Sequence, residues 1–152
     1  MRMADKPYYP PAEIQADMCK YLFMHAANKN IKSNVSLGKS FNEEYNATIG
    51  KPKLIKPFAK DDNKEILKAR RIMDVSHEYF YQTQKNGKET EMICFLRHLR
   101  NIIAHGNIKE DTSGSYFILE DIDYFHGNKL TAFGFLSKQK IYRIIRAYLN
   151  II

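Results

Sequence analysis

The chain has 152 residues, 24 Lys and Arg against 17 Asp and Glu, and a formal charge of +7. That length suits one domain with its own core, residues 1–152 with a short tail over 1–11. With 44% apolar and 27% charged residues the chain is not of disordered type, and no apolar run approaches the roughly 20 residues of a membrane-spanning helix.

The basic balance favours an anionic partner, with nucleic acid as the first candidate. Met1-Arg2-Met3-Ala4-Asp5-Lys6-Pro7 lacks the apolar segment of a secretory signal, so a cytoplasmic location and no membrane partner are expected. Cys19 and Cys94 sit inside apolar patterns and are expected to be buried, reduced thiols.

Pro7-Tyr8-Tyr9-Pro10-Pro11 delays the first helix until its last proline. Ile14, Met18, Leu22 and Ala26 then recur every four residues, which predicts an amphipathic helix from Ala12 to about Ala27, broken by Asn28-Lys29-Asn30. Residues 33–49 are ambiguous. Ser40-Phe41-Asn42-Glu43 has the form of a capping box opening a short helix through Tyr45 and Ala47, with Gly50 and Pro52 ending it. Residues 51–60 read as a basic loop punctuated by Pro52 and Pro57, in which Lys53 and Lys56 could track an RNA backbone; a solvated loop is the other reading.

A long helix is expected from Asp61 or Asp62 to about Gln84, with Ile66, Leu67, Ile72, Met73, Val75, Tyr79 and Phe80 as its apolar positions. After the turn at 85–88, a fourth helix opens between Glu89 and Glu91 and ends at Gly106. The period then changes. Tyr116–Leu119 and Leu130–Phe133 read as two short strands of a hairpin, and Ser137 caps a last helix with Ile141, Ile144, Ile145, Tyr148 and Leu149 on its apolar face. The expected fold is mainly all-α, a bundle of four to five helices with a small β-hairpin appended before the C-terminal helix.

The fourth helix carries the chemistry. At about 100° per residue, Phe95, Leu96, Leu99, Ile102 and Ile103 share one face, while Arg97, Arg100, Asn101, Ala104 and His105 fall opposite, with His98 on the flank. Guanidinium groups match phosphate oxygens, an imidazole moves protons near neutral pH, and an amide orients or binds. This face holds no paired carboxylates and no second His at ligand spacing, so no metal and no cofactor are expected there. Phosphoryl transfer on such a face would proceed by attack of an RNA 2′-OH on its own phosphate. One imidazole per chain is too few for a base and an acid together. Two-fold pairing across Ala104 would supply both. An ordinary solvated polar face is the alternative reading. His25 and His126 are expected at the surface, His77 packed or on a flank, and His98 against a neighbouring helix or a second copy.

Arg100-Asn101-Ile102-Ile103-Ala104-His105 resembles the R-N-x-x-x-H signature of the HEPN superfamily. The resemblance implies a small helical bundle acting as a homodimer through the helix that bears Arg100 and His105. It implies a metal-independent endoribonuclease, with Arg100 on the scissile phosphate, Asn101 as its polar neighbour and His105 as the catalytic histidine. Arg97, Lys53 and Lys56 would be further RNA contacts. The implied setting is a toxin, with a possible antitoxin, or an antiphage effector. The alternative within the same resemblance is a non-catalytic module that binds RNA or a protein partner. Some members carry a Tyr two residues after the His; Asn107 stands there in this chain. In detail the resemblance covers only residues 93–107.

Overall fold

The computed structural model describes residues 6–8, 10–27, 37–57 and 62–150. The expected break at Asn28–Asn30 and the helix start at Asp61 lie outside them. Eleven elements follow in chain order: β1 (Lys6–Pro7), α1 (Ala12–Ala27), α2 (Lys39–Thr48), β2 (Lys53–Ile55), α3 (Lys64–Ile72), β3 (Tyr79–Thr83), α4 (Glu91–His105), β4 (Ile108–Glu110), β5 (Tyr116–Asp123), β6 (Lys129–Ser137) and α5 (Lys138–Asn150).

The expected all-α, HEPN-like bundle is corrected by a six-stranded mixed sheet in the order β1-β4-β5-β6-β3-β2. The architecture is mixed α/β. The hairpin is not an appendage: β5 and β6 form its two central strands, pairing from Tyr116↔Ser137 to Asp123↔Lys129 with a register shift between Asp121 and Ile122. Among the described strand pairs only β2 and β3 run parallel.

The largest departure is the long third helix expected over 61–84. It ends at Ile72, because Met73 takes a left-handed backbone (φ 49°) at the C-cap. Asp74 then ties down the turn, its Oδ1 accepting from the Ser76 backbone N–H and hydroxyl. Tyr79-Phe80-Tyr81-Gln82-Thr83, rich in aromatic residues, emerges as β3 and pairs with β6. Gly134 on β6 makes room for this: a Cβ there would stand 2.3 Å from Phe80 Cδ2. The expected loop at 51–60 contributes β2, which pairs with β3 from Lys53↔Tyr81 to Ile55↔Thr83. Short strands of this kind carry no period of their own; a partner remote in sequence supplies the ladder.

Side-chain alternation divides the core between the two faces of the sheet. On one face Phe80, Phe117, Leu119, Ala132 and Leu136 meet α1, α2, α4 and α5 through Tyr21, Phe41, Tyr45, Phe95, Leu99, Ile141 and Tyr148. On the other, Ile118, Leu130 and Phe133 meet Ile66 of α3. The predicted limits of α1 and α4 agree with the structure to within two residues, and α5 follows Ser137 directly. Gly38, not Ser40, stands at the N-cap of α2, and no side chain caps it. Cys94 is buried as expected, whereas Cys19 is exposed. Met18 and Tyr21 fill the inward positions of α1, and Cys19 lies outward between them. No described helix is long and apolar enough to cross a membrane.

Candidate functional site

Helix α4 is held at both ends by local chemistry. Thr90 is the N-cap, its hydroxyl accepting from the Ile93 N–H at 3.3 Å. Gly106 is the C-cap with φ 67°, a left-handed conformation that favours glycine, and its N–H reaches the carbonyls of Ile102 and Ile103. The apolar face expected from the wheel is inward: Phe95, Leu96, Leu99 and Ile102 are all buried.

The polar face is divided. Arg97 turns back along the helix and donates from Nε and Nη2 to the two oxygens of Glu89 at 2.8 and 3.0 Å, and from Nη2 to the Thr83 carbonyl at 3.0 Å. This is a bidentate pair on a nearly buried carboxylate. Burial pushes the Glu89 carboxyl up, but the Arg97 hydrogen bonds, the Lys85 backbone N–H and the Arg97 charge outweigh it and hold the group below its ordinary value. Burial and the Glu89 charge together push the neighbouring Cys94 thiol far up, out of its reactive range.

His98, expected on the flank, is fully buried. Its Nδ1 lies 2.6 Å from Asp121 Oδ2 and its Nε2 lies 2.8 Å from the Thr83 carbonyl. Both partners are acceptors, and a donor, Arg97 Nη2, lies 3.4 Å from the same Nε2. Asn101 completes the cluster by donating from Nδ2 to the same Asp121 oxygen at 3.2 Å. Its Oδ1 in turn accepts from Arg100 Nη1 at 3.3 Å. The amide therefore orients Arg100, with Asp121 as its anchor.

His105 stands apart from this network. It is exposed on the last turn of α4, its ring edge-on to Tyr124 with centroids 5.2 Å apart. Tyr124 belongs to the β5–β6 turn, which Asn107 fastens to α4 by donating from Nδ2 to the Tyr124 hydroxyl at 3.0 Å. The turn leaves Tyr124 and Phe125 respectively 48% and 91% exposed. Ala104, next to His105 on the last turn of α4, is exposed. Arg100 and His105 are five residues apart, about 140° around the helix. No contact joins them within one chain.

Four participants escaped sequence reasoning. In sequence Glu89 reads as a helix start, and Asp121 and Tyr124 fall between the two expected strands. The pair of carboxylates Glu120-Asp121 between apolar Leu119 and Ile122 is the local signal, since a buried acid demands a partner. The fourth is His25, expected at the surface. It is half-buried, ring-stacked on Tyr148 at 6.0 Å and tilted on Tyr21 at 5.7 Å. Tyr21 donates to the Leu96 carbonyl at 2.7 Å, which docks α1 on α4. Burial, then the charges of Arg100 and Arg97, lowers the His25 pKa below 6.5.

The remaining expected RNA contacts lie elsewhere. Lys53 is on β2, paired with Glu65 at 2.6 Å, and Lys56 is exposed just after that strand. Neither joins the α4 cluster. Among the described residues no group of three or more His, Cys, Asp or Glu side chains is arranged to hold a metal ion. No family model, curated protein or solved structure matches this chain.

Proposed function

We propose that this protein is a metal-independent endoribonuclease in which His105 moves protons and Arg100 binds the scissile phosphate. One observation carries the reading. Arg97, His98 and Asn101 are tied inward to Glu89, Thr83 and Asp121, which leaves the exposed His105 and the half-buried Arg100, held only by Asn101, as the groups of that polar face with no carboxylate partner among the described residues. The anchored Asn101 holds the Arg100 guanidinium in place before any substrate arrives.

The chemistry follows from those two side chains. The RNA 2′-OH attacks the adjacent phosphorus, forming the O2′–P bond while an imidazole takes the 2′-OH proton. The P–O5′ bond breaks, and a second imidazole gives its proton to the departing O5′. The guanidinium stabilises the negative charge that builds on the phosphate oxygens. Products are a 2′,3′-cyclic phosphate and a 5′-OH. Each chain offers one His105, so base and acid come from two copies paired across the exposed edge of Ala104, Tyr124 and Phe125. Because the bundle expected from the resemblance is absent, the proposal stands on this side-chain geometry alone.

The test is RNA cleavage by purified protein in EDTA, wild type beside His105→Ala, with product ends identified. Wild type should leave cyclic phosphate ends and His105→Ala should be slower by about 10²–10⁴-fold. Undiminished cleavage by His105→Ala refutes the assignment. The almost bare Phe125 ring favours a second reading, a module that binds RNA or a protein without chemistry. It predicts salt-dependent RNA affinity and no cleavage products.

A further inference from the structure

The sheet face opposite α4 holds a cavity of about 510 Å³ between α3 and the β2–β3 edge. Its floor is a ladder of rings set by strand alternation: His77 and Tyr79 have centroids 5.5 Å apart, Tyr79 and Tyr81 5.7 Å apart. Lys53 Nζ stands 5.9 Å from the centre of the Tyr81 ring. Lys68 of α3 lines the other wall, exposed and without an ion pair to any described residue.

From these residues we infer a binding site for a nucleobase that carries a phosphate. The volume falls in the range of small-ligand pockets, roughly 300–1,000 Å³. Adjacent rings tilt 48° and 59° to one another, and an aromatic face within such a row accepts a base of any sequence. Of the two acids on the wall, Glu65 is paired with Lys53, and Asp74 is turned onto Ser76, accepting from its N–H and hydroxyl. Lys68 is the cation of the lining with no ion pair to a described residue, and a phosphate would meet it at the mouth. Helix α3 reinforces the sign, with Lys64, Lys68, Arg70 and Arg71 against Glu65; Arg70 is drawn off to Glu120 at 3.5 Å. An uncharged apolar ligand would gain nothing from this rim. The site is separate from His105, which sits on the helix of the other sheet face, so it stands whether or not the protein cleaves RNA.

The same chemistry comes from a free nucleotide or from one residue of a single-stranded RNA. The test measures binding of adenosine 5′-monophosphate and of a hexaadenylate by calorimetry, using the full chain as His105→Ala to prevent cleavage. Binding of both identifies a free-nucleotide site, and binding of the hexamer alone a strand site; either supports the inference. Tyr81→Leu should weaken the bound ligand about tenfold or more. Lys68→Gln, a change on an exposed helix surface that leaves the fold intact, should weaken it and reduce its salt dependence. No binding of either probe at millimolar concentration overturns the inference. So does unchanged affinity in Lys68→Gln together with no displacement of the Tyr79 and Tyr81 amide resonances by the ligand. Loss of RNA cleavage in the wild type with pocket binding retained would refute the nuclease reading and leave this one standing.

Discussion

Replacing Asp121 by Ala removes a carboxylate that is only 3% exposed and serves two donors, His98 Nδ1 at 2.6 Å and Asn101 Nδ2 at 3.2 Å. The His98 ring is fully buried, and its other nitrogen is already committed to the Thr83 carbonyl. Truncation therefore leaves the buried Nδ1 edge of the ring with no partner and no water to replace it. Breaking one partner of a buried pair costs about 3–5 kcal/mol, against about 1–3 kcal/mol for a single unsatisfied neutral group. Asn101 is half-buried and recovers part of its loss from solvent, so a value of about 3 kcal/mol is expected. Against a typical total of about 5–15 kcal/mol, that is a large fraction. Urea unfolding followed by circular dichroism should show the midpoint falling by about 1–2 M at unchanged slope. Asp121→Asn keeps the shape and one acceptor oxygen, so its loss should be roughly half as large. A loss below about 1 kcal/mol for Asp121→Ala would refute the argument that this carboxylate anchors α4 to β5.

Gly134→Ala should destabilise by about 3 kcal/mol or block folding, because its Cβ would collide with Phe80 and approach the Tyr79 carbonyl at 2.9 Å; a wild-type thermal midpoint would contradict this. Thiol titration with a disulfide reagent should count one reactive cysteine in the native protein, Cys19, and two in urea, because Cys94 is fully buried with its thiol pushed far up. His25 makes the fold acid-sensitive. Its folded-state pKa lies below the ordinary 6.5, so the unfolded chain binds the proton first as pH falls; the contribution is intact above about pH 7 and is lost on acidification through the lowered value. The groups facing His25 are Arg97 and Arg100 from α4, Tyr21 from α1 and Tyr148 from α5. Comparing urea midpoints at pH 7.5 and 5.5, Arg100→Gln should narrow the gap relative to wild type; an unchanged gap would place the guanidinium away from the ring.

The elements that sequence reasoning found are those whose signals are local. Helices α1, α4 and α5 each carry an apolar stripe over three or more turns, and Gly106 marks a C-terminus by the backbone conformation it permits. The hairpin announces itself through a glycine turn between apolar runs. Strands β2 and β3 lack such signals. Three and five residues are too few to show a period, and Tyr79 and Phe80 continue a helical spacing from Ile72 and Met73 as readily as they begin a strand. The decision came from β6, about fifty residues later, whose Gly134 is shaped to receive Phe80. Once β3 joins the sheet, the fold is no longer a bundle.

The division within α4 has the same origin. Helical periodicity by itself determined which residues face the core and which face away, and composition determined that the outward set holds guanidinium, amide and imidazole groups. Only the tertiary structure decided which of those groups are spent. Glu89 lies eight residues before Arg97, Thr83 fifteen before His98, and Asp121 twenty or more after His98 and Asn101. A polar side chain on a helix flank looks the same in one dimension whether it meets water or a buried carboxylate. The desolvated acid makes the difference, since it cannot remain without donors, and the sheet alone brings it to the helix.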